Sequence, residues 1–276
     1  MPVDGGAGAG AARSSAFRGY AGSVTAVGDA LLALAPTAGA VVLLMAVPLG
    51  VLSWSRSPHR FAPALAVLRG AVQLGLISLI LGGVITDPVW VACALLVMFT
   101  VATGTATGRI GFTRAHLAVV ASGMALGVTV TLAIVFATGA ILPEPRYLLA
   151  LGGIVIGNTM SIATLAGRRL RRSTLERWDE VEGWLALGAT PRRATLELAR
   201  TAVYEALIPS TDQTRTTGLV TLPGAFVGAI FGGISPLEAG RFQIVVLASI
   251  MAAGALTAVV LVRGLAPATS RPVPLD

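Results

Sequence analysis

The sequence predicts an all-α polytopic integral membrane protein, with about seven transmembrane helices and a cytoplasmic coupling helix between two of them. The chain has 276 residues, of which 55% are hydrophobic and 12% are charged, whereas a soluble domain carries roughly 25% charged residues. Apolar runs near the ~20 residues that cross a bilayer recur along the chain. Such runs form helices in lipid, because backbone hydrogen bonds must there be satisfied internally.

The basic residues are all of one kind: all 20 are arginine, and the net charge is +7. Nucleic acid is not an expected partner, since the arginines concentrate between apolar runs, as the positive-inside rule predicts for a membrane protein. Cys93 stands alone in an apolar run, and His59 and His116 lie in loops without the spacing of zinc ligands. No residue is therefore assigned to a metal, and no cofactor is expected on this chain.

The elements follow in order from the N-terminus. Residues 1–28 are rich in Gly, Ala and Ser and predict a disordered tail. A transmembrane domain is predicted over residues 29–266, and residues 267–276 are predicted as a C-terminal tail. The break between the fourth and fifth spans falls at two prolines, Pro143 and Pro145, because proline does not continue a helix. The first five spans are predicted at about Ala30–Trp54, Ala64–Ile85, Val89–Thr107, Ala115–Leu142 and Tyr147–Ala166.

The fifth span contains an amide side chain, Asn158, with Met160 two residues later. An amide near the middle of a bilayer is unfavourable unless it forms hydrogen bonds, so it must face protein or a water-filled path. Two readings stay open: a hydrogen bond between helices, or a place on a translocation path.

The distribution of arginines predicts an orientation. With the N-terminus outside, the inner segments are 55–63, 108–114, 167–200 and the end from Arg263, and they hold 14 arginines against 4 outside. Arginine accumulates in cytoplasmic loops, so this orientation is favoured. A cytoplasmic C-terminus requires an odd number of crossings. Seven fit: five before residue 167, one after residue 200, and a last span at about Phe242–Val262.

Residues 167–200 form a charged cytoplasmic segment, called the hub below. Its apolar side chains, including Trp178 and Trp184, are more than a solvated helix needs, and apolar groups presented to water mark a binding surface. The order of residues predicts a short helix, a turn at Gly188 and a second helix that starts at Pro191. A cytoplasmic partner could receive the short helix in a groove. The alternative is that the tryptophans lie at the lipid interface, where tryptophan is favoured.

A polar run, residues 211–217, follows the hub between two apolar stretches. Pro209 is predicted to end the helical segment before this run. Residues 199–211 either re-enter the membrane or lie on its surface. Asp212 and Arg215 are three residues apart and form either a structural ion pair at the cytoplasmic edge or a gate at the inner mouth. The sixth span is predicted over residues 218–233, kinked at Pro223–Gly224 so that exposed carbonyls could line a cavity.

Two other classes of protein fit the residues less well. A secondary transporter needs a coupling-ion site, usually built from intramembrane acids in related halves, and neither paired acids nor a repeat is evident. A membrane-embedded enzyme needs clustered acids or a serine with a histidine, whereas the two histidines lie far from any intramembrane acid. The sequence also lacks a phosphate-binding GxxxxGK[ST] loop, so no nucleotide site of the P-loop type is predicted on this chain.

Several motifs taken together resemble one known family. They are IGNTM at 156–160, the arginine-rich run after it, Glu182 followed by LGAT at 187–190, IPSTDQTRTTGLVTLPGAFVG at 208–228, and GGISPLEAGRFQ at 232–243. This combination resembles the Fet-type iron-export ABC transporter permeases, which are relatives of the plant aluminium-tolerance permeases. The resemblance covers roughly residues 64–265.

The resemblance implies a permease subunit in the bacterial cytoplasmic membrane, exporting iron or another metal as a homodimer. A separate cytoplasmic ABC ATPase would bind it and use the ATP. The alternatives are an ABC-type permease for a nucleotide sugar or organic solute, or a secondary transporter. The residues expected to couple to the ATPase are Trp178, Glu182, Trp184, Leu185, Gly188 and Ala189. Those expected on the translocation path are Asn158, Met160, Asp212, Gln213, Arg215, Pro223 and Gly224.

Overall fold

The structure is a computed structural model that describes residues 35–84 and 86–272. The tail predicted over residues 1–28, the first residues of the predicted first span, Ile85 and the last four residues lie outside the described part. The described residues form helices and no strand, which confirms the predicted all-α class. The chain divides into two compact units between Leu81 and Gly82.

The first unit contains helix α1, Ala35–Trp54, and most of helix α2, Ala62–Val84. Helix α1 has 20 residues, and at ~1.5 Å per residue it reaches across the ~30 Å of a bilayer core. It continues through Pro48 without interruption. The loop between the two helices is tight, with Arg56 at φ 50° and His59 at φ 63°.

The second unit contains the remaining helices. Local sequence explains where several of them begin, because a polar cap or a proline precedes the first turn. The Asp87 carboxylate accepts a hydrogen bond from the Val89 amide at 2.8 Å, and the Thr113 hydroxyl accepts one from the His116 amide at 3.0 Å. The helices are α3 Pro88–Ile110, α4 Arg114–Ala137, α5 Pro145–Glu176, α6 Trp178–Ala186, α7 Pro191–Ala194, α8 Leu196–Thr216, α9 Gly224–Phe231 and α10 Pro236–Leu265.

Helices α5 and α10 form the centre of this unit. Helix α10 packs against α4, α5, α8 and α9, and α5 also packs against α3, α4 and α8. Small residues allow the close approach, as in other membrane bundles. A Cβ on Gly127 of α4 would lie 2.5 Å from the Ala253 carbonyl oxygen of α10. A Cβ on Gly152 of α5 would lie 2.8 Å from Leu95 of α3.

The helices of the second unit run between two ends, called here the hub end, which carries residues 167–200, and the far end, which lies opposite it. At the hub end, the Thr195 hydroxyl donates to the Ala266 carbonyl at 2.7 Å, and the Arg171 guanidinium donates to the Ile110 carbonyl at 2.8 Å. At the far end, Tyr147 and Phe242 pack ring against ring with centroids 5.9 Å apart. Helices α3, α5 and α10 therefore run from the far end to the hub end, and α4 and α8 run back.

Five helices among the described residues are long and apolar enough to cross a membrane: α1, α3, α4, α5 and α10. Helix α2 adds a shorter apolar stretch, Ala62–Ser78. The fourth span ends at Ala137 rather than Leu142, and the last runs over Pro236–Leu265 rather than Phe242–Val262. Six of the extra residues of α10 lie at its start, where Ser235 caps the helix ahead of Pro236, and three lie at its end.

The prediction of a sixth span at residues 218–233 is wrong. Only α9 is helical there, and its eight residues extend just ~12 Å. The run is interrupted because Gly218 and Gly233 both have φ 90°, a conformation that leaves the helix. Pro223 precedes α9 as its N-terminal cap, so the predicted kink at Pro223–Gly224 is the start of a helix.

The predicted break at Pro209 is also wrong, since α8 continues through it for 21 residues to Thr216. Pro209 has no N–H to donate to the Glu205 carbonyl, and the loss of this one backbone hydrogen bond does not end the helix. The hydroxyl of Thr211 donates to the Leu207 carbonyl at 2.9 Å, and that of Thr214 donates to the Ser210 carbonyl at 2.8 Å. The polar run is therefore helical and belongs to α8.

Candidate functional site

The hub starts as an extension of α5 rather than as a separate element. Helix α5 has 32 residues, or ~48 Å of helix, so its last turns extend beyond a bilayer core of ~30 Å. A break at Arg177 separates α5 from α6, and the nine-residue α6 ends before Gly188. Gly188 has φ 85°, which confirms the predicted turn, and α7 starts at Pro191 as predicted.

Helix α6 has a buried face and a free face. Val181 is buried, and Trp178 and Leu185 are partly buried against the protein's own core. Trp184 is 48% exposed and Leu187, just after the helix, is 83% exposed. Trp178 and Leu185 hold α6 on the bundle, and the exposed apolar surface of α6 and its end is formed by Trp184 and Leu187.

Charged groups surround this apolar surface. Arg177 pairs with Glu180, and Arg172 pairs with Glu176 at 2.7 Å. The hydrogen bond from Arg172 to Glu176 raises the pKa of the Arg172 guanidinium, so that group stays charged at any physiological pH. Exposed pairs of this kind add little stability. Glu182 is exposed, and Ala189 after the turn is half-buried.

The second group of candidate residues lies along α8, whose register against α10 is fixed by two contacts. Thr195 of α8 bonds to Ala266 at the end of α10. Twelve residues further along α8, Leu207 lies 3.4 Å from the position of a Cβ on Gly254, twelve residues earlier in α10. The two helices are therefore antiparallel, and a step of twelve residues forward along α8 matches a step of twelve residues back along α10. Five residues further, Asp212 lies level with Ser249, near the middle of α10.

Contacts of α4 and α5 with α10 show which of their residues lie at the same depth in the bundle as Ser249. Gly123 and Gly127 of α4 face Thr257 and Ala253 of α10, so one more turn brings Thr131 level with Ser249. Ile162 of α5 contacts Gly254, which places Asn158 about one turn away, at the same level again. The mid-depth layer is defined as Thr131, Asn158, Asp212 and Ser249.

Two side chains of the mid-depth layer are buried without a partner. The hydroxyl oxygens of Thr131 and Ser249 have no hydrogen-bond partner among the described residues, and these residues are 3% and 2% exposed. Leaving such a group unpaired costs about 1–3 kcal/mol. Buried polar groups of this kind are places where water or a polar solute binds. Gln243, nearer the far end of α10, has an unpartnered Oε1 as well.

Asn158 forms no hydrogen bond to another helix in the described part of the chain. Its Nδ2 donates to the Ile154 carbonyl, one turn back in α5, at 2.8 Å. The side chain is half-buried. Met160 is partly buried and packs against the core. The predicted bond between helices is therefore not what satisfies Asn158, and the path reading stays a prediction.

Asp212 and Arg215 form the predicted pair, with Oδ1 and Nη1 3.6 Å apart. Their side chains are 60% and 75% exposed, and Gln213 beside them is exposed. Both readings placed this pair at the cytoplasmic edge, whereas the register of α8 places it at mid-depth. A charged side chain at the centre of a membrane helix costs about 2.5–3.5 kcal/mol on insertion scales. The pair must therefore face protein or water rather than lipid.

A cavity opens at the far end between α5, α9 and α10. Its volume is about 470 Å³ and its walls are largely apolar, with Tyr147 and Phe242 among them. Arg146, Glu238 and Arg241 also line it. Arg146 is paired with Glu144 at 2.6 Å and lies 5.0 Å above the Tyr147 ring. Gly224 belongs to the neighbouring α9, and nothing lies within 4 Å of where its Cβ would be.

No group of three or more His, Cys, Asp or Glu side chains that could hold a metal ion occurs within residues 35–84 and 86–272. Two features that matter for α8 were missed in the sequence. One is the ion pair between Arg169 and Glu205 at 3.2 Å, which links the hub end of α5 to α8. The other is the spacing of exposed residues along α8, which is helical from Tyr204 through the polar run. The predicted end of the helix at Pro209 hid this spacing.

Comparison with known proteins gives consistent relatives. Residues 36–268 match a family model described as an uncharacterised protein family, UPF0014. UPF0014 membrane protein STAR2 of Oryza sativa subsp. japonica is 35% identical, over 82% of this chain and 79% of that protein. Protein ALUMINUM SENSITIVE 3 of Arabidopsis thaliana is 33% identical, over 81% and 82% respectively. The probable iron export permease protein FetB of Escherichia coli (strain K12) is 33% identical, over 49% and 52%. No solved structure matches this chain.

Proposed function

Because this chain belongs to the UPF0014 family, we propose that it is the membrane permease subunit of an ABC transporter that exports iron or another metal. A separate cytoplasmic ATPase supplies the energy, so this chain is not itself the enzyme that hydrolyses ATP. The relative named as a probable iron export permease supports the cargo and the direction of transport.

The observation that carries the proposal is helix α6. It is a nine-residue helix between a break at Arg177 and a turn at Gly188, and it presents Trp184 and Leu187 to solvent. Aromatic and large apolar side chains provide most of the binding energy of protein interfaces when a partner buries them. A short helix exposed between two long membrane helices suits a role in which a soluble motor grips it.

A push on α6 can reach the bundle by two routes. Trp178, Val181 and Leu185 pack α6 onto the core, so the helix cannot shift without moving its neighbours. Helix α5 continues from the hub into the mid-depth layer, and the Arg169–Glu205 pair connects it to α8. Both α5 and α8 carry path candidates, Asn158 and Asp212, about halfway along the bundle. Movement at the hub is thereby linked to the polar residues at mid-depth.

The remaining parts of the proposal follow from the distribution of charge and from the relatives. The chain lies in the bacterial cytoplasmic membrane with the hub and C-terminus in the cytoplasm, as the arginine count predicts. Two permease subunits pair with their ATPase subunits. ATP is used by the partner, and this chain holds no cofactor of its own.

A second candidate cargo is an organic anion, such as a nucleotide sugar. The far-end cavity favours it, because a largely apolar volume of about 470 Å³ lined by two arginines, Arg146 and Arg241, against one acid, Glu238, suits an anionic organic molecule better than a bare cation. A secondary transporter remains the runner-up mechanism, and it predicts transport that does not depend on ATP.

The test is transport into inverted membrane vesicles that contain the permease together with its ATPase. Iron, other divalent metals and nucleotide sugars are supplied in parallel, each with ATP and with a non-hydrolysable analogue. We expect ATP-dependent uptake of a metal. Uptake of the sugar nucleotide alone would select the second candidate, and uptake that is the same with the analogue would refute the ABC mechanism.

A further inference from the structure

Helix α8 has one face in the core and one face that no other helix of the second unit covers. Its hub half is buried through Leu198, Ala199, Ala202 and Ala206. The opposite face forms a stripe at helical spacings of four, four, three and four residues. The α8 stripe consists of Tyr204, Ile208, Asp212, Arg215 and, just beyond the helix, Leu219.

The apolar members of the α8 stripe would be compatible with lipid. Tyr204 is 70% exposed and Leu219 is 93% exposed, which is ordinary for the outside of a membrane protein. The charged members are not compatible with lipid, because Asp212 and Arg215 lie at the level of Ser249 near the middle of α10. An ion pair at that depth has to be covered by protein or reached by water.

The charged residues of each candidate surface indicate which one can cover the Asp212–Arg215 pair. Helix α1 has no charged residue, and Arg69 is the one charged residue in α2, so neither helix could offer both an acid and a base to this pair. A second copy of the chain offers both. In a twofold arrangement each Asp212 approaches the Arg215 of the other subunit, because a face that carries one acid and one base is complementary to itself.

We propose that the α8 stripe is the surface on which two copies of this chain meet, with Asp212 and Arg215 paired across the twofold axis. The inference rests on the proposed function in one respect, namely that the resulting seam is the translocation path. One subunit supplies only half of the polar lining, since Asp212, Arg215 and Gln213 lie on the open side of α8. The path is therefore incomplete without the partner copy.

The open glycines of α9 agree with this arrangement. Among the described residues, nothing lies within 4 Å of a Cβ placed on Gly224 or Gly228, so the surface of α9 is open at these positions. Phe231 on the same short helix is 86% exposed. Small residues on a membrane helix allow the backbone of another helix to approach closely. Helix α9 can extend the interface from the α8 stripe towards the far end.

Disulfide cross-linking tests the interface directly. Cys93 is the sole cysteine of the chain, so Cys93→Ala gives a background without thiols into which Leu219→Cys is introduced. Oxidation of membranes should produce a disulfide-linked dimer, because residues near a twofold axis come within the ~4.4–6.8 Å between Cα atoms that a disulfide requires. Ile134→Cys is the matched control: Ile134 is 56% exposed on α4, away from both the stripe and α9, and should give no dimer. Equal dimer yields from the two variants would overturn the proposal.

Pairing of mutated subunits tests the charge argument. Asp212→Arg and Arg215→Asp each break the pair within a subunit and place like charges across the axis. We expect either variant alone to reduce the Leu219→Cys dimer by about tenfold or more, since like charges at an interface strongly oppose association. Co-expression of the two variants with different tags should restore the mixed dimer. That rescue has to come from contacts between chains, because neither chain contains a complementary pair.

The control for folding is membrane insertion and a single symmetric peak in detergent, measured for each variant. A mixed dimer no more abundant than the dimers of the separate variants, with insertion intact, would refute pairing across the axis. Cross-links from Leu219→Cys to a cysteine placed in α2, in place of the dimer, would show that α2 covers the stripe and would likewise refute it. These measurements need neither ATPase nor cargo, so their failure is distinct from failure of the proposed transport function.

Discussion

The turn at Gly188 provides a direct test of the coupling role of α6. Gly188 has φ 85°, and nothing lies within 4 Å of the position of its Cβ. A side chain there would meet no neighbour, so the effect of substitution comes from the backbone alone. A residue with a Cβ in the left-handed region costs about 1–2 kcal/mol, and valine is among the least suited because it is β-branched. That cost lowers the population of the native turn about 5- to 30-fold relative to alternatives.

The assay is co-purification of the ATPase with Gly188→Val, followed by measurement of transport-stimulated ATP hydrolysis. We expect both to fall severalfold while insertion and thermal stability of the bundle change little, because the turn lies outside the core. Gly188→Asn is the matched variant, since asparagine tolerates positive φ, and it should retain most of the activity. Gly183→Ala, on α6 with open space around its Cβ, tests whether any added methyl group disturbs this surface.

The reasoning would be refuted by a Gly188→Val protein that binds its ATPase and transports at the wild-type level. It would also be refuted if the valine and asparagine variants lost function equally, since the loss would then not depend on the backbone conformation. Trp184→Ala separates the contact from the turn: it should weaken binding of the ATPase without altering the conformation of residues 187–190.

Three further predictions test the core, the polar layer and the orientation. Gly127→Val places its Cβ against α10 backbone and should cost about 1–3 kcal/mol, seen as a lower Tm in detergent, whereas Gly104→Ala, with nothing within 4 Å of its Cβ, should not. Asn158→Leu and Asp212→Ala should reduce transport in vesicles far more than they reduce membrane insertion, because each side chain bonds only within its own helix in the described part of the chain and so holds no two helices together. Normal transport by both variants would remove them from the path. A cysteine at Ser173 should react with a membrane-impermeant thiol reagent in inverted vesicles and not in intact cells, and labelling from outside would reverse the orientation.

Much of the fold could be predicted because it depends on local properties of the chain. The apolar lengths of α3, α4, α5 and α10 identify them as helices that can cross a membrane. The predicted bounds of α3 lie within three residues of the observed ones, whereas α5 continues ten residues beyond its predicted end at Ala166. The turn at Gly188 and the helix start at Pro191 were also predictable, since positive φ favours glycine and the first turn of a helix accepts proline. The family followed from motifs spread over most of the chain.

Two predictions failed where a local rule was overridden. Proline usually ends a helix, but α8 continues through Pro209 to Thr216 with the loss of only one backbone hydrogen bond. Residues 218–233 have the composition of a span, yet Gly218 and Gly233 take conformations that shorten the helix to α9. In each case the composition of the segment favours one backbone conformation, and the chain adopts another.

The sequence by itself determined the class of protein, the family and the identity of the polar residues, including Asp212 and Arg215. Only the tertiary structure decided their depth and which side of α8 they occupy. Depth depends on the register of α8 against α10, which is fixed by contacts between residues 71 positions apart, such as Thr195 with Ala266. The free face of α8 is defined by which side chains its neighbours bury. Neither property is carried by a local segment, because both arise from packing between helices that are distant in the chain.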